Sequence, residues 1–286
     1  MPKTRYRSIF ISDTHLCSRD AQADVLLHFL KHTKSEYLYL VGDFIDVWQL
    51  RRRWHWPQVY SNVIHRILSR VKKGTKVVYI PGNHDEFFRD FLGTQFGGVQ
   101  ILPRTFHRTA DGRRMLVMHG DEFDVVVQCN KWLAVLGSAA YEYLVTANRV
   151  LNIARRRARL PYWSLAAYCK RRVKNAAKYI NRFESALIHE GRHLGVDGVI
   201  CGHIHTPVIK SMQDLLYCNT GDWVENCTAL VEREDGTLEI VHWIPHYQQA
   251  MSQAHEAEPE PEEDDVPAEP MTPAAERLIR QLASVE

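Results

Sequence analysis

The chain has 286 residues, 45% of them hydrophobic and 24% charged, which is the composition of a soluble globular protein with room for one large domain or two small ones. A formal net charge of only +2 argues against a dedicated nucleic-acid binder, and no apolar stretch approaches the length of a membrane span. The six cysteines, Cys17, Cys129, Cys169, Cys201, Cys218 and Cys227, form no CxxC pair, and no apolar signal region precedes the first strand-like segment, so a reduced, cytoplasmic protein is expected.

In chain order, "YRSIFIS" predicts a strand, a helical pattern follows from about Ala21 to Thr33, and "YLYLVGD" predicts a second strand. A helix near 58–73 leads to strands at "KVVYIPGN" and "RMLVMHGD". The rhythm is that of an α/β fold. Residues 125–195 change character to helical and basic, with 13 Lys and Arg against 3 Asp and Glu between 126 and 195, and read as an insertion. The strand pattern resumes with "DGVICGHIH", "LLYCNTGDW", "CTALVERE" and "LEIVHWI", where "EREDGTLE" reads as a hairpin turn. Core is thus expected over 1–124 and 196–248, and an acidic tail over 249–286. His255 to Thr272 is too rich in Glu and Pro to bury a core, and Leu278, Ile279, Leu282 and Val285 have the spacing of a short amphipathic helix.

Polar groups collect where the apolar runs end. Asp13 and His15 stand in "SDTH", Asp43 and Asp46 in "GDFID", Asn83, His84 and Asp85 in "GNHD", His119 in "MHGD", and His203 and His205 in "GHIH". Open α/β sheets bind ligands at the carboxyl ends of their strands. A lone Asp-x-His is ordinarily an N-cap or a surface turn, but five such islands at strand ends of one pattern point to a metal site. On extended backbone, Asp-x-His and His-x-His direct both side chains to one side, which suits two donors to one metal or to neighbouring metals. Imidazole and carboxylate donors together suit Mn, Fe or Zn.

The five islands, in this order, resemble the signature of the calcineurin-like metallophosphoesterase superfamily over roughly residues 6–245. The resemblance implies a β-sandwich flanked by helices, here with a lid-like helical insertion. It assigns Asp13, His15 and His205 to one metal, Asn83, His119 and His203 to a second, and Asp43 as the bridge. Two divalent cations, with Mn²⁺ expected first, would lie about 3.5–4 Å apart, bind phosphate oxygens, activate water and stabilise the leaving oxygen. His84 would reach the phosphate or the leaving group, Asp46 would orient His84, and Asp85 would hold nearby groups in place.

Within that superfamily, "ISDTHL", "LVGDFIDVW", "PGNHDEF", "MHGDEFD" and the insertion between His119 and "GHIH" are most similar to the bacterial UDP-2,3-diacylglucosamine pyrophosphatases of lipid A synthesis. Those enzymes typically carry Arg where this chain has His84. Arg offers a diphosphate a fixed positive fork, whereas His can also donate a proton. The similarity implies a lipid-linked nucleotide diphosphate as substrate, cleaved to UMP and 2,3-diacylglucosamine 1-phosphate. The basic, aromatic insertion suits an anionic membrane surface on the cytosolic face of the inner membrane, with Lys174, Lys178 and Arg182 spaced along one helical face toward phosphate or lipid. The segment Val47 to Tyr60 is expected to line the same entrance. The alternative is a metal-dependent phosphodiesterase or nuclease, disfavoured by the near-neutral charge and the acidic tail.

Overall fold

The computed structural model describes residues 3–123 and 165–256, with side chains from 178 onward in the second stretch, as far as 253. The chain divides into two compact units, residues 1–121 with 188–286, and residues 122–187. Most of the insertion and the acidic tail beyond 256 lie outside the described residues.

Two sheets make up the first unit. One has seven strands: β1 (Thr4–Ile11), β2 (Thr33–Val41), β3 (Lys76–Ile80), β4 (Gln95–Phe96), β5 (Val99–Ile101), β11 (Thr228–Glu232) and β12 (Leu238–His242), in the order β12-β11-β1-β2-β3-β5-β4. The other has five: β6 (Thr105–Arg108), β7 (Arg114–Val117), β8 (Gly198–Cys201), β9 (Val208–Met212) and β10 (Leu215–Asn219), in the order β6-β7-β8-β10-β9. Strands β1, β2, β3 and β5 are parallel, as are β7, β8 and β10.

The central strands are apolar on both faces because both faces are covered. Ile9, Ile11, Leu38, Leu40, Val77 and Tyr79 point into one core cluster with helices α1 (Ala23–His32) and α3 (Gln58–Lys72). The alternate residues Phe10, Tyr39, Val41, Val78 and Ile80 point into a second cluster with Met115, Val117, Ile200 and Cys218 of the other sheet. The period of two along each strand therefore builds a sandwich with helices outside one layer. On the outer side of the five-stranded sheet, the last turns of α4 (Leu165–His193) approach closely at Gly191, where a Cβ would stand 2.8 Å from Leu215 and 2.9 Å from Val199.

The mixed α/β architecture with two sheets agrees with the sequence reading; the differences are local. The first helix begins at Ala23 and yields at Thr33, whose φ of −122° and ψ of 158° open β2 while its hydroxyl donates to the Phe29 carbonyl. The short strands β4, β5, β6 and β9 carry no long alternation and were not expected. Helix α2 (Val47–Arg52) is also additional, capped by the Asp46 side chain, which accepts from the Gln49 amide at 2.9 Å. Helix α5 (Ile244–Glu256) continues past 248 and lies against α1, with Trp243 donating to His28 and Tyr247 edge-on to the same ring.

Candidate dinuclear metal centre

Because β1, β2 and β3 run parallel, their carboxyl ends share one edge, and the loops after β7 and β8 meet them there. Asp13 and His15 follow β1, Asp43 follows β2, Asn83 to Asp85 follow β3, His119 follows β7, and His203 and His205 follow β8. Donor atoms of Asp13, His15 and His205 lie within 4.8 Å of one another, and so do those of Asp43, His119 and His203. Asp43 stands between the groups, its Oδ2 3.8 Å from His15 Nε2 and 3.4 Å from His119 Nε2. A third set, His15, Asp46 and His84, overlaps the first.

The pairing of side chains does not come from extended backbone, as the spacing had suggested. Asp13, His15, Asp43, His203 and His205 all have φ between 44° and 70°. Left-handed backbone is uncommon for residues other than glycine and concentrates where surrounding structure enforces it. Each such residue turns the chain sharply after its strand, and that turn aims the side chain back across the sheet edge.

The glycines of the motifs have a specific task. A Cβ on Gly42 would lie 2.1 Å from His119 Nδ1, one on Gly82 2.3 Å from Asp43 Oδ1, and one on Gly202 2.5 Å from Asp13 Oδ2. The backbone of each motif therefore presses on a donor from another motif. Asp85, fully buried, accepts from the Gly82 amide at 2.6 Å, the Phe44 amide at 2.7 Å and the Tyr79 hydroxyl at 2.5 Å, tying the β2 and β3 loops together.

Divalent cations fit this donor set. His119 Nδ1 lies 2.9 Å from the Val41 carbonyl, which can only accept, so Nδ1 carries a proton and Nε2 is the nitrogen left to face a cation. That Nε2 is buried without a hydrogen-bond partner, as are Asn83 Oδ1 and Asp13 Oδ1. Asp13 Oδ1 is 2.8 Å from His205 Nε2 yet receives no aligned hydrogen bond from it. Buried polar atoms are rarely left orphaned, and oxygen and imidazole acceptors left so in the loops that carry the two clusters suit cations as partners.

The family model for calcineurin-like phosphoesterases matches residues 6–207. The chain belongs to the calcineurin-like phosphoesterase family. A UDP-2,3-diacylglucosamine hydrolase from Histophilus somni is 31% identical over 122 residues, 40% of this chain and 49% of that protein, so the chain spans about half the length of that relative in the match. Another of that name, from Shewanella sp. strain ANA-3, is 26% identical over 252 residues, 80% of this chain and 95% of that protein. Among solved structures, vacuolar protein sorting 29 from Cryptosporidium parvum matches over 82% of this chain and 94% of that one at 12% identity and a TM-score of 0.39, too loose to carry an argument.

At the site of this family member the electrostatics follow from crowding. Burial alone raises the Asp13 carboxyl, but His205, His119 and His15 together outweigh it and hold the carboxyl well below the usual range. Asp43 is likewise depressed against burial, chiefly by His119. Burial works against a charge on His119, but Asp43, with Asp13 and Asp121 behind it, pushes the ring up to about 10. The carboxylates that favour a proton on that ring also favour a cation there, and a metal must displace the proton. Asp85 moves the other way, up to about 6, through burial first and the Asp43 charge second.

His84 sits at the rim. Its Nδ1 is 3.1 Å from Asp46 Oδ2, and its ring lies 4.3 Å from that of Trp48, which is 43% exposed. Burial lowers the His84 pKa, the Asp46 carboxylate raises it, and the net is upward. Of the segment from Val47 to Tyr60, Trp48 reaches the site, whereas Trp54 and Trp56 pack against the core. Lys178 and Arg182 are exposed on α4 in the second unit, and the Lys174 side chain lies outside the described residues. The loop after β10 was not singled out from sequence, yet it supports the centre. Asn219 donates to the Gly202 carbonyl at 2.6 Å, Trp223 donates its amide to Asp13 O at 3.0 Å, and Asn226 donates to the His205 carbonyl at 3.0 Å. The signal lay in "NTGDW", a polar run at a strand end like the other five.

Proposed function

We propose that the chain hydrolyses the diphosphate of UDP-2,3-diacylglucosamine, giving UMP and 2,3-diacylglucosamine 1-phosphate. Three orphaned buried metal-ligand atoms in the strand-end loops, Asp13 Oδ1, Asn83 Oδ1 and His119 Nε2, carry the hydrolytic part of this reading. The names of the relatives support the substrate part.

In this reading Asp13, His15 and His205 hold one divalent cation, Asn83, His119 and His203 hold the other, and Asp43 is shared. Mn²⁺ is the proposed metal, with Fe and Zn also suited to these donors. Such a pair supplies Lewis acidity toward the phosphoryl oxygens and a water made nucleophilic near neutral pH. The chain's own residues do the rest. Asp85 fixes the loops that carry Asp43 and Asn83, and the Val41 carbonyl holds the His119 ring in place. Asp46 keeps His84 oriented and inclined to hold a proton, so His84 can donate it to the departing phosphate oxygen as the P–O bond breaks. Trp48 beside it offers a flat apolar wall at the rim.

Lys174, Lys178 and Arg182 are proposed to meet phosphate or anionic lipid, with work at the cytosolic face of the inner membrane. Among the described residues no helix is long and apolar enough to cross a membrane. Each methylene moved out of water is worth about 0.8 kcal/mol, so acyl chains dominate recognition if they are received. The test is the ratio of kcat/KM for UDP-2,3-diacylglucosamine to that for UDP-N-acetylglucosamine, with metal content measured on the same preparation. A large ratio with UMP as product is expected. A ratio near one, or no UMP, rejects this substrate and leaves the hydrolase without it.

A further inference from the structure

The opposite edge of the seven-stranded sheet holds a second feature that the hydrolytic centre does not use. A cavity of about 360 Å³ opens where β1 and β2 begin and α3 ends, far along the strands from their carboxyl-end loops. Lys3, Arg5, Lys34, Arg66, Arg70 and Lys73 line it, and Glu36 is the single carboxylate among the lining residues. Glu36 is already engaged by Arg5 at 3.2 Å.

Arg70 is the unusual member. It is 7% exposed, and its Nη2 donates to the Leu30 carbonyl at 2.9 Å and to the carbonyl and hydroxyl of Thr33 at 2.8 and 2.7 Å. Arg66 donates to the Leu30 and Lys31 carbonyls, both at 3.2 Å. These bonds close the carboxyl end of α1, where cations belong. They do not account for the whole guanidinium, because Arg70 Nη1 is buried with no hydrogen-bond partner, and so is Ser35 Oγ in the same wall. Nor does any carboxylate neutralise Arg66, Arg70, Lys34 or Lys73 among the described residues. Burial first and the Arg66 charge second draw the Arg70 pKa down to about 9, so at neutral pH the charge remains, buried and repelled by its neighbour. A buried cation without a counter-charge is costly to the fold, and a bound anion would supply one.

We infer that this cavity binds a phosphate-bearing anion of nucleotide size, at a site separate from the metal centre. The excess of cations selects a multiply charged ligand, and paired guanidiniums with lysines and hydroxyls match phosphate oxygens. The volume lies within the range of small-molecule pockets and is far larger than inorganic phosphate needs. All the lining residues belong to the first unit.

The experiment is calorimetric titration of the full-length, metal-loaded protein with ADP and, separately, with inorganic phosphate. Two variants separate the sites. Asp43→Asn disables the metal centre, and Lys34→Glu with Lys73→Glu reverses two exposed charges at the cavity mouth. ADP binding is expected to persist in Asp43→Asn, to weaken with added salt, and to fall about tenfold or more in the double charge reversal. Turnover of bis-p-nitrophenyl phosphate by the double variant should stay within about twofold of the parent, since the cavity lies at the other edge of the sheet. ADP binding that vanishes in Asp43→Asn, or that is unchanged by the charge reversals, overturns the inference. Inorganic phosphate binding as tightly as ADP overturns the nucleotide size.

Discussion

Gly42→Ala tests the claim that motif backbones are shaped around donors from other motifs. Gly42 has φ of +81°, and the added methyl would lie 2.1 Å from His119 Nδ1 and 2.2 Å from Cγ, at least 1.2 Å short of the 3.4 Å of ordinary contact. The ring cannot retreat freely, being 2% exposed and held by the Val41 carbonyl. Left-handed backbone costs alanine about 1 kcal/mol, the lost hydrogen bond about 1 more, and overpacking about 1–3. The sum, about 3–5 kcal/mol, should lower Tm by on the order of 10 °C for a chain of this size. A catalytic group displaced by about 1 Å costs about 10²-fold in rate, so kcat/KM on a chromogenic diester should fall by at least that. Gly112→Ala is the control, because Gly112 has φ of +94° but nothing within 4 Å of the added carbon, so it meets only the backbone cost. If Gly42→Ala melts with Gly112→Ala and keeps kcat/KM within about threefold of the parent, the steric reasoning fails.

Three further outcomes follow from the same structure. Asp43→Asn and His119→Ala should lose several orders of magnitude in turnover and part of their bound metal while keeping the parent circular dichroism, and near-normal turnover in either would end the two-metal assignment. Glu232, 0% exposed, accepts from Arg7 at 2.7 Å, Ser8 at 2.5 Å, His107 at 2.8 Å and the Ala110 amide at 2.8 Å. Glu232→Gln should therefore cost about 3–5 kcal/mol near neutral pH. Burial raises the Glu232 pKa, but His107 and the other donors win and depress it, so its contribution is complete above the unfolded value of about 4.3 and disappears as pH falls through the lower folded value. Parent and variant Tm values should converge in strong acid, and a gap that stays constant there contradicts the argument. Tyr79→Phe removes a buried donor to Asp85 and should cost about 1–3 kcal/mol with reduced kcat/KM, which an unchanged Tm would refute.

The sequence by itself determined the architecture and the place of the chemistry. Runs such as "KVVYI" and "GVIC" are apolar at every second position on both faces, and burial between layers demands that; the polar groups had nowhere to stand except at the strand ends. Periodicity could not reveal the left-handed turns at Asp13, His15, Asp43, His203 and His205, because a single residue with positive φ leaves no repeating pattern along the chain. The short strands and α2 were hidden for a related reason, since a few residues at a sheet edge or behind an Asp46 cap carry too little pattern of their own. Only tertiary structure could place Gly42 against His119, gather Arg7, His107 and Glu232 into one buried network, or leave Arg70 without a counter-charge behind α1. Each of these joins segments distant in the chain. Local sequence sets which side chains are available and which face they take, while packing alone decides which of them meet and which polar atoms are left wanting a partner.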